Sequence, residues 1–129
     1  MSTALIIEDN ENNLELMRFI LENANYKTRL AMTGLDGVKQ ALAYPPDFII
    51  LDIQLPDISG VEVLKRIRAH ESGRDIPIIA MTSYAMSGDR EKLIAAGCIS
   101  YIEKPIDPML VINLIEQSIK CGANGWSAQ

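Results

Sequence analysis

Histidine occurs once and cysteine twice in the 129 residues, and there is no cluster of basic residues, no long apolar run and no internal repeat. Each absence excludes a class of function. The single histidine, His70, lies among Arg68, Glu71, Ser72 and Gly73, a polar stretch read as a surface loop, so catalysis by a histidine of this chain is not expected. Cys98 and Cys121 lack metal-ligand spacing and are read as ordinary reduced thiols. Twelve Lys and Arg are scattered against seventeen Asp and Glu, for a formal net charge of −5, which argues against direct binding to nucleic acid. The longest apolar runs are far too short to span a bilayer, and the N-terminus lacks a basic region followed by an apolar core and cleavage site. A soluble, cytoplasmic protein with no membrane partner is the expectation.

What is present is an ordinary globular balance, 48% hydrophobic and 22% charged, in a chain of single-domain size. The most informative stretch is Phe48-Ile49-Ile50-Leu51-Asp52, four large apolar residues that stop on a carboxylate. Such a run fits a strand buried on both faces of a parallel sheet. Asp52 would then sit at the carboxyl rim, where open α/β sheets bind their ligands, although an Asp also commonly just starts a turn. Ala4 to Ile7 is a second such run, ending on Glu8-Asp9.

From Asn10, a plausible N-cap, Leu14, Met17, Leu21 and Ala24 mark a helix. Tyr26 to Ala31 alternates polar and apolar residues and reads as an edge strand. Gly34 to Ala43 carries Leu35, Val38, Ala41 and Leu42 on one helical face and stops before Pro45-Pro46. Leu55 to Gly60 has turn chemistry, after which Val61, Leu64, Ile67 and Arg68 mark a third helix. Ile76 to Met81 is a fourth strand, ending at Thr82, and Asp89 to Ala96 a helix with Leu93 inward and Gly97 as its stop. Ile99 to Ile102 is a short fifth strand closing on Glu103-Lys104-Pro105. A last helix carries Val111, Leu114, Ile115, Ser118 and Ile119 and ends near Gly122. The domain is thus expected over residues 1–122, with 123–129 a loose tail.

Five strands alternating with five helices predict a doubly wound α/β fold with helices on both faces of a parallel sheet. An edge position for the second strand is compatible with the flavodoxin-like order 2-1-3-4-5, although the sequence leaves the order open. The strand ends then deliver Glu8, Asp9, Asp52, Thr82 and Lys104 to one rim. Three carboxylates gathered there repel one another, and Mg²⁺ relieves the repulsion while keeping waters for a phosphate to replace. An ammonium and a hydroxyl, Lys104 and Thr82, can partner phosphoryl oxygens. The set suits phosphoryl transfer onto a carboxylate. The plainer alternative makes the acids caps, Lys104 a solvated charge and Thr82 an ordinary strand end.

These residues, together with Leu55-Pro56-Asp57-Ile58-Ser59-Gly60, resemble the receiver domain of two-component response regulators, over nearly the whole chain. Ile7 to Asn13 and Lys104-Pro105-Ile106 are similar to single-domain receivers and to receivers of hybrid sensor kinases. The resemblance implies that Asp52 is phosphorylated by a histidine kinase or a histidine phosphotransfer protein. It implies that Asp9 binds Mg²⁺ directly, that Glu8 assists through water and that Gln54 lends a backbone carbonyl. Lys104 and Thr82 would contact the phosphoryl group, and the Lys104–Pro105 peptide would be cis. Thr82 and Tyr101 would form the switch, the aromatic filling space left as Thr82 moves toward the phosphate. Gln54 and Tyr84, two residues after Asp52 and Thr82, would flank the path of the hydrolytic water. Glu8 stands where the family more often has Asp, which is within its variation.

No stretch after Ile119 reads as an output domain, so a downstream protein partner is expected to read the signal. The expected chemistry is self-phosphorylation and slow autodephosphorylation, not turnover of an external substrate. An aspartyl-phosphate phosphatase on a related scaffold is the competing class. It usually has a second acid two residues after the nucleophile, where this chain has Gln54. A flavin binder is weaker still, because no Ser/Thr/Gly-rich phosphate loop follows the first strand.

Overall fold

The computed structural model describes residues 2–82, 87–98, 100–103 and 107–124. Strand β1 (Thr3–Ile7) leads to helix α1 (Glu11–Asn23), β2 (Lys27–Ala31) to α2 (Gly34–Ala43), and β3 (Phe48–Asp52) to α3 (Gly60–Arg68). A short 3-10 turn (Glu71–Gly73) precedes β4 (Ile78–Thr82), α4 (Ser87–Ala96), β5 (Ser100–Glu103) and α5 (Pro108–Asn124). All strand pairs are parallel, in the order β2-β1-β3-β4-β5. The partly exposed β2 lies at an edge, as its polar alternation predicts, and every residue of the central β3 is buried.

Alternation along the strands divides the core in two, because successive side chains leave the sheet on opposite faces. Ala4, Ile6, Phe48, Ile50, Ile79 and Met81 pack with Leu14, Met17 and Leu21 of α1 and with Val111 and Ile115 of α5. Leu5, Ile7, Ile49, Leu51, Ile78 and Ala80 pack with Ala41 of α2, Val63, Leu64 and Ile67 of α3, and Leu93 of α4. Continuous apolar strands are needed because neither face of the sheet meets water. Among the described residues no helix is long and apolar enough to cross a membrane.

The helices start where polar side chains satisfy their first N–H groups. Asn10, Thr33 and Ser59 accept from the backbone of Asn13, Asp36 and Glu62, in each case at 3.1 Å. Helix α4 stops at Gly97, whose φ of +119° suits a residue without a side chain. Arg68 fastens that end: its Nη2 donates to the Gly97 carbonyl at 2.7 Å and its Nη1 to the Gly73 carbonyl at 2.7 Å.

Some boundaries and faces differ from the sequence expectation. Leu35, expected inward, is 49% exposed, while Gly34 and Gly37 are buried. Helix α2 lies so close to β1 that a Cβ on Gly37 would stand 2.4 Å from Ile7 Cδ1, so its buried face is made of small residues and the apolar side chain turns out. Strand β4 begins at Ile78 and not Ile76, consistent with Pro77 having no N–H to give the ladder. Helix α5 runs through Gly122 to Asn124, since a single Gly costs a helix only about 1 kcal/mol. The expected Ile99 start of β5 and tail residues 125–129, with Trp126, lie outside the described residues.

Two predictions follow from the packing around the β3–α3 loop. A Cβ on Gly60 would stand 2.7 Å from the Ile53 Cα, a backbone atom that cannot swing aside, so Gly60→Ala should cost about 1–3 kcal/mol in denaturant unfolding. In that loop Asp57 accepts the N–H groups of Leu35 and Gly34, each at 2.8 Å. The Leu35 bond foremost, with those of Gly34 and of the loop's own backbone, holds its carboxyl below the usual range against a smaller opposing effect of desolvation. A carboxyl depressed in the folded state contributes stability above its unfolded pKa and loses it as pH falls through the folded value. Wild type should therefore exceed Asp57→Asn in melting temperature at pH 7, and the gap should shrink as pH drops below the ordinary carboxylate range.

Candidate functional site

The register explains why the acids meet. Ile7 lies opposite Leu51, so the next residues, Glu8 and Asp52, emerge side by side at the carboxyl rim. By alternation Glu8 continues the series Ala4, Ile6 and Asp52 the series Phe48, Ile50, so both leave the sheet on the same face. The Glu8 N–H donates to the Ala31 carbonyl at 2.9 Å, which carries the β1–β2 ladder one residue past the strand and fixes the Glu8 backbone.

Glu8 is 0% exposed and Asp52 3%, whereas Asp9 opens to solvent. One carboxylate oxygen from each of Glu8, Asp9 and Asp52 lies within 4.8 Å of the others. Two unit charges at that spacing repel by about 3 kcal/mol at an effective dielectric constant of about 20, so a buried pair of this kind favours a cation between them. Hard carboxylate oxygens, two sheltered and one at the mouth, fit Mg²⁺, which takes one or two carboxylates and retains water. Asp52 Oδ1 also accepts the Gln54 N–H at 3.2 Å, so the loop folds back onto the strand end.

The other expected site residues stand as follows. The Thr82 backbone ends β4 opposite Glu103, and Tyr101 lies on β5 opposite Ala80, so the two occupy adjacent strands near the same rim. Gln54 is exposed in the β3–α3 loop. Lys104, Pro105 and Tyr84 lie outside the described residues. His70 is exposed next to the 3-10 turn, away from the strand ends that carry the acids. The sequence reading gave Asp57 no role beyond turn chemistry. An Asp five residues after the strand-end acid reads as a turn residue until the fold shows that α2 begins beside it.

A doubly wound parallel sheet with clustered acids on its carboxyl rim is the arrangement of a receiver-type signalling module. The chain belongs to the response regulator receiver domain family, which matches residues 4–116. Within that family it is similar to the polar-differentiation response regulator DivK of Brucella ovis, 42% identical over 114 residues that cover 88% of this chain and 93% of the relative. Among solved structures it is similar to the receiver domain of sensor histidine kinase PA1611 from Pseudomonas aeruginosa PAO1, with a TM-score of 0.86 and 33% identity over 92% of this chain and 98% of that one. That receiver carries a magnesium ion coordinated in its active site cleft. A CheY-like receiver domain protein of Methanospirillum hungatei JF-1 aligns with a TM-score of 0.87 at 27% identity, covering 95% of this chain and 97% of that one. Two-component signalling is thus the setting of the chain.

The cluster predicts a measurable response to metal. A ligand that binds only the folded protein stabilises it by about 1.4 kcal/mol at ten times its Kd. Mg²⁺ in millimolar excess should raise the melting temperature of the wild-type protein, and Asp9→Ala should abolish most of the gain.

Proposed function

We propose that the chain is a DivK-like cytoplasmic response regulator that accepts a phosphoryl group on Asp52 and signals by altered binding to a protein partner. The observation that carries this reading is the convergence of the Glu8, Asp9 and Asp52 carboxylates within 4.8 Å on the sheet's carboxyl rim. Mg²⁺, when bound, offsets the charge of the acids and leaves positions for phosphate oxygens. Asp9 and Asp52 would hold it directly, with Glu8 acting through water and Gln54 through its carbonyl.

In the transfer itself an Asp52 oxygen attacks the phosphorus of a phosphohistidine on a kinase or phosphotransfer protein. The O–P bond forms as the P–N bond breaks, and the imidazole leaves with the electron pair. Lys104 and Thr82 take phosphoryl oxygens, for which the support is that β4 lies beside β3 and β5 beside β4, so that their carboxyl ends share the rim with Asp52. Burial of the Asp52 carboxylate keeps bulk water away from the acyl phosphate, and its later hydrolysis returns the carboxylate and inorganic phosphate. Thr82 and Tyr101, on neighbouring strands, form the switch that carries the change to the face of α4, β5 and α5.

A protein partner has further support in a groove of about 500 Å³ between α1 and α5. Leu16, Phe19 and Met109 line it and stay exposed, Phe19 by 66% and Met109 by 76%. Large apolar residues left together on a surface mark a protein contact. The function is tested by incubation with acetyl phosphate and Mg²⁺. Wild-type protein should become labelled, and the label should fall to background in Asp52→Asn, because an amide cannot form the acyl phosphate. Undiminished labelling of that variant would remove Asp52 as acceptor.

A further inference from the structure

Asp57 joins two elements that do not follow each other in the chain. Its Oδ1 and Oδ2 take the N–H groups of Gly34 and Leu35, 23 and 22 residues earlier. These are the first two residues of α2, and N–H groups there have no acceptor within the helix. The third, Asp36 N–H, goes to Thr33 Oγ1 at 3.1 Å. The first turn of α2 is therefore closed partly by its own N-cap and partly by a carboxylate from the β3–α3 loop. The contact is tight as well as polar, since a Cβ on Gly34 would stand 2.6 Å from Ile58 Cγ1.

The same loop begins at the acid cluster. Asp52 Oδ1 accepts the Gln54 N–H, the Ile53 N–H donates to the Met81 carbonyl at 3.1 Å, and the Gly60 N–H donates to the Ile53 carbonyl at 3.0 Å. These bonds fix the two ends of the loop, and Asp57 fixes its middle to α2. We propose that Asp57 is a positioning residue for the metal site, holding the course of the loop so that the Gln54 backbone and the Asp52 carboxylate keep their places at the rim. Asp57 acts through the loop and touches neither metal nor phosphate. The inference rests on the functional reading above, in which Gln54 and Asp52 serve the ion.

A residue that only caps α2 and one that positions the loop predict different results. Mg²⁺ affinity is measured by calorimetry, and melting temperature alongside, for wild type, Asp57→Ala, Asp57→Asn and Thr33→Ala. The last variant weakens the same helix start without touching the loop. The Kd for Mg²⁺ should rise about tenfold in Asp57→Ala, the low end for groups that orient a ligand. It should rise less in Asp57→Asn, which keeps one acceptor oxygen, and not at all in Thr33→Ala, although that variant also melts earlier. If Asp57→Ala fails to fold, a Kd unchanged in Asp57→Asn overturns the proposal. An unchanged Kd in Asp57→Ala, or an equal rise in Thr33→Ala, likewise reduces Asp57 to a helix cap. Absence of Mg²⁺ binding by the wild-type protein overturns the functional reading, and the proposal with it.

Discussion

The structure depends on an acid placed at the end of a strand that has no contact with water. Phe48, Ile49, Ile50 and Leu51 are fully buried, and Asp52 follows them with 3% exposure. The parallel ladder sets Glu8 beside it at the end of β1, 0% exposed. Burying one carboxylate is costly, and burying two side by side costs more unless a cation or hydrogen bonds compensate. A fold does not accept that cost for packing alone, because apolar residues in the same places would be more stable. The clustered acids of the rim are thus suited to holding a cation.

Everything around the rim serves to hold it in place. The two apolar cores pack the sheet from both sides. Gly60 brings the start of α3 against Ile53, Asp57 ties the intervening loop to α2, and Arg68 links the end of α3 to the end of α4. These contacts lie on the α2–α4 side of the sheet. The α1–α5 side instead leaves Leu16, Phe19 and Met109 in an open groove.

Much of this was legible in the residues. Unbroken apolar runs ending on acids gave both the buried strands and the candidate site, because a doubly buried strand needs apolar residues at every position and a functional rim needs a sharp change to polar ones. Asn10 and Gly97 mark helix ends through their own local chemistry, the first by a side-chain acceptor and the second by a backbone free to take positive φ. Less legible was anything set by distance between elements. The face of α2 was misjudged because Leu35 fits a helical stripe, whereas the close approach of Gly37 to Ile7 selects small residues for the buried side. The role of Asp57 was hidden for the same reason, since its partners Gly34 and Leu35 are remote in the chain.

The central claim is that Asp52, and no other acid of the cluster, becomes the acyl phosphate. The most direct measurement is to treat the protein with acetyl phosphate and Mg²⁺, reduce the acyl phosphate with tritiated borohydride, and map the label after proteolysis. A labelled homoserine at position 52 is the expected result. Label at Glu8 or Asp9, or no label in protein that binds Mg²⁺, would contradict the account.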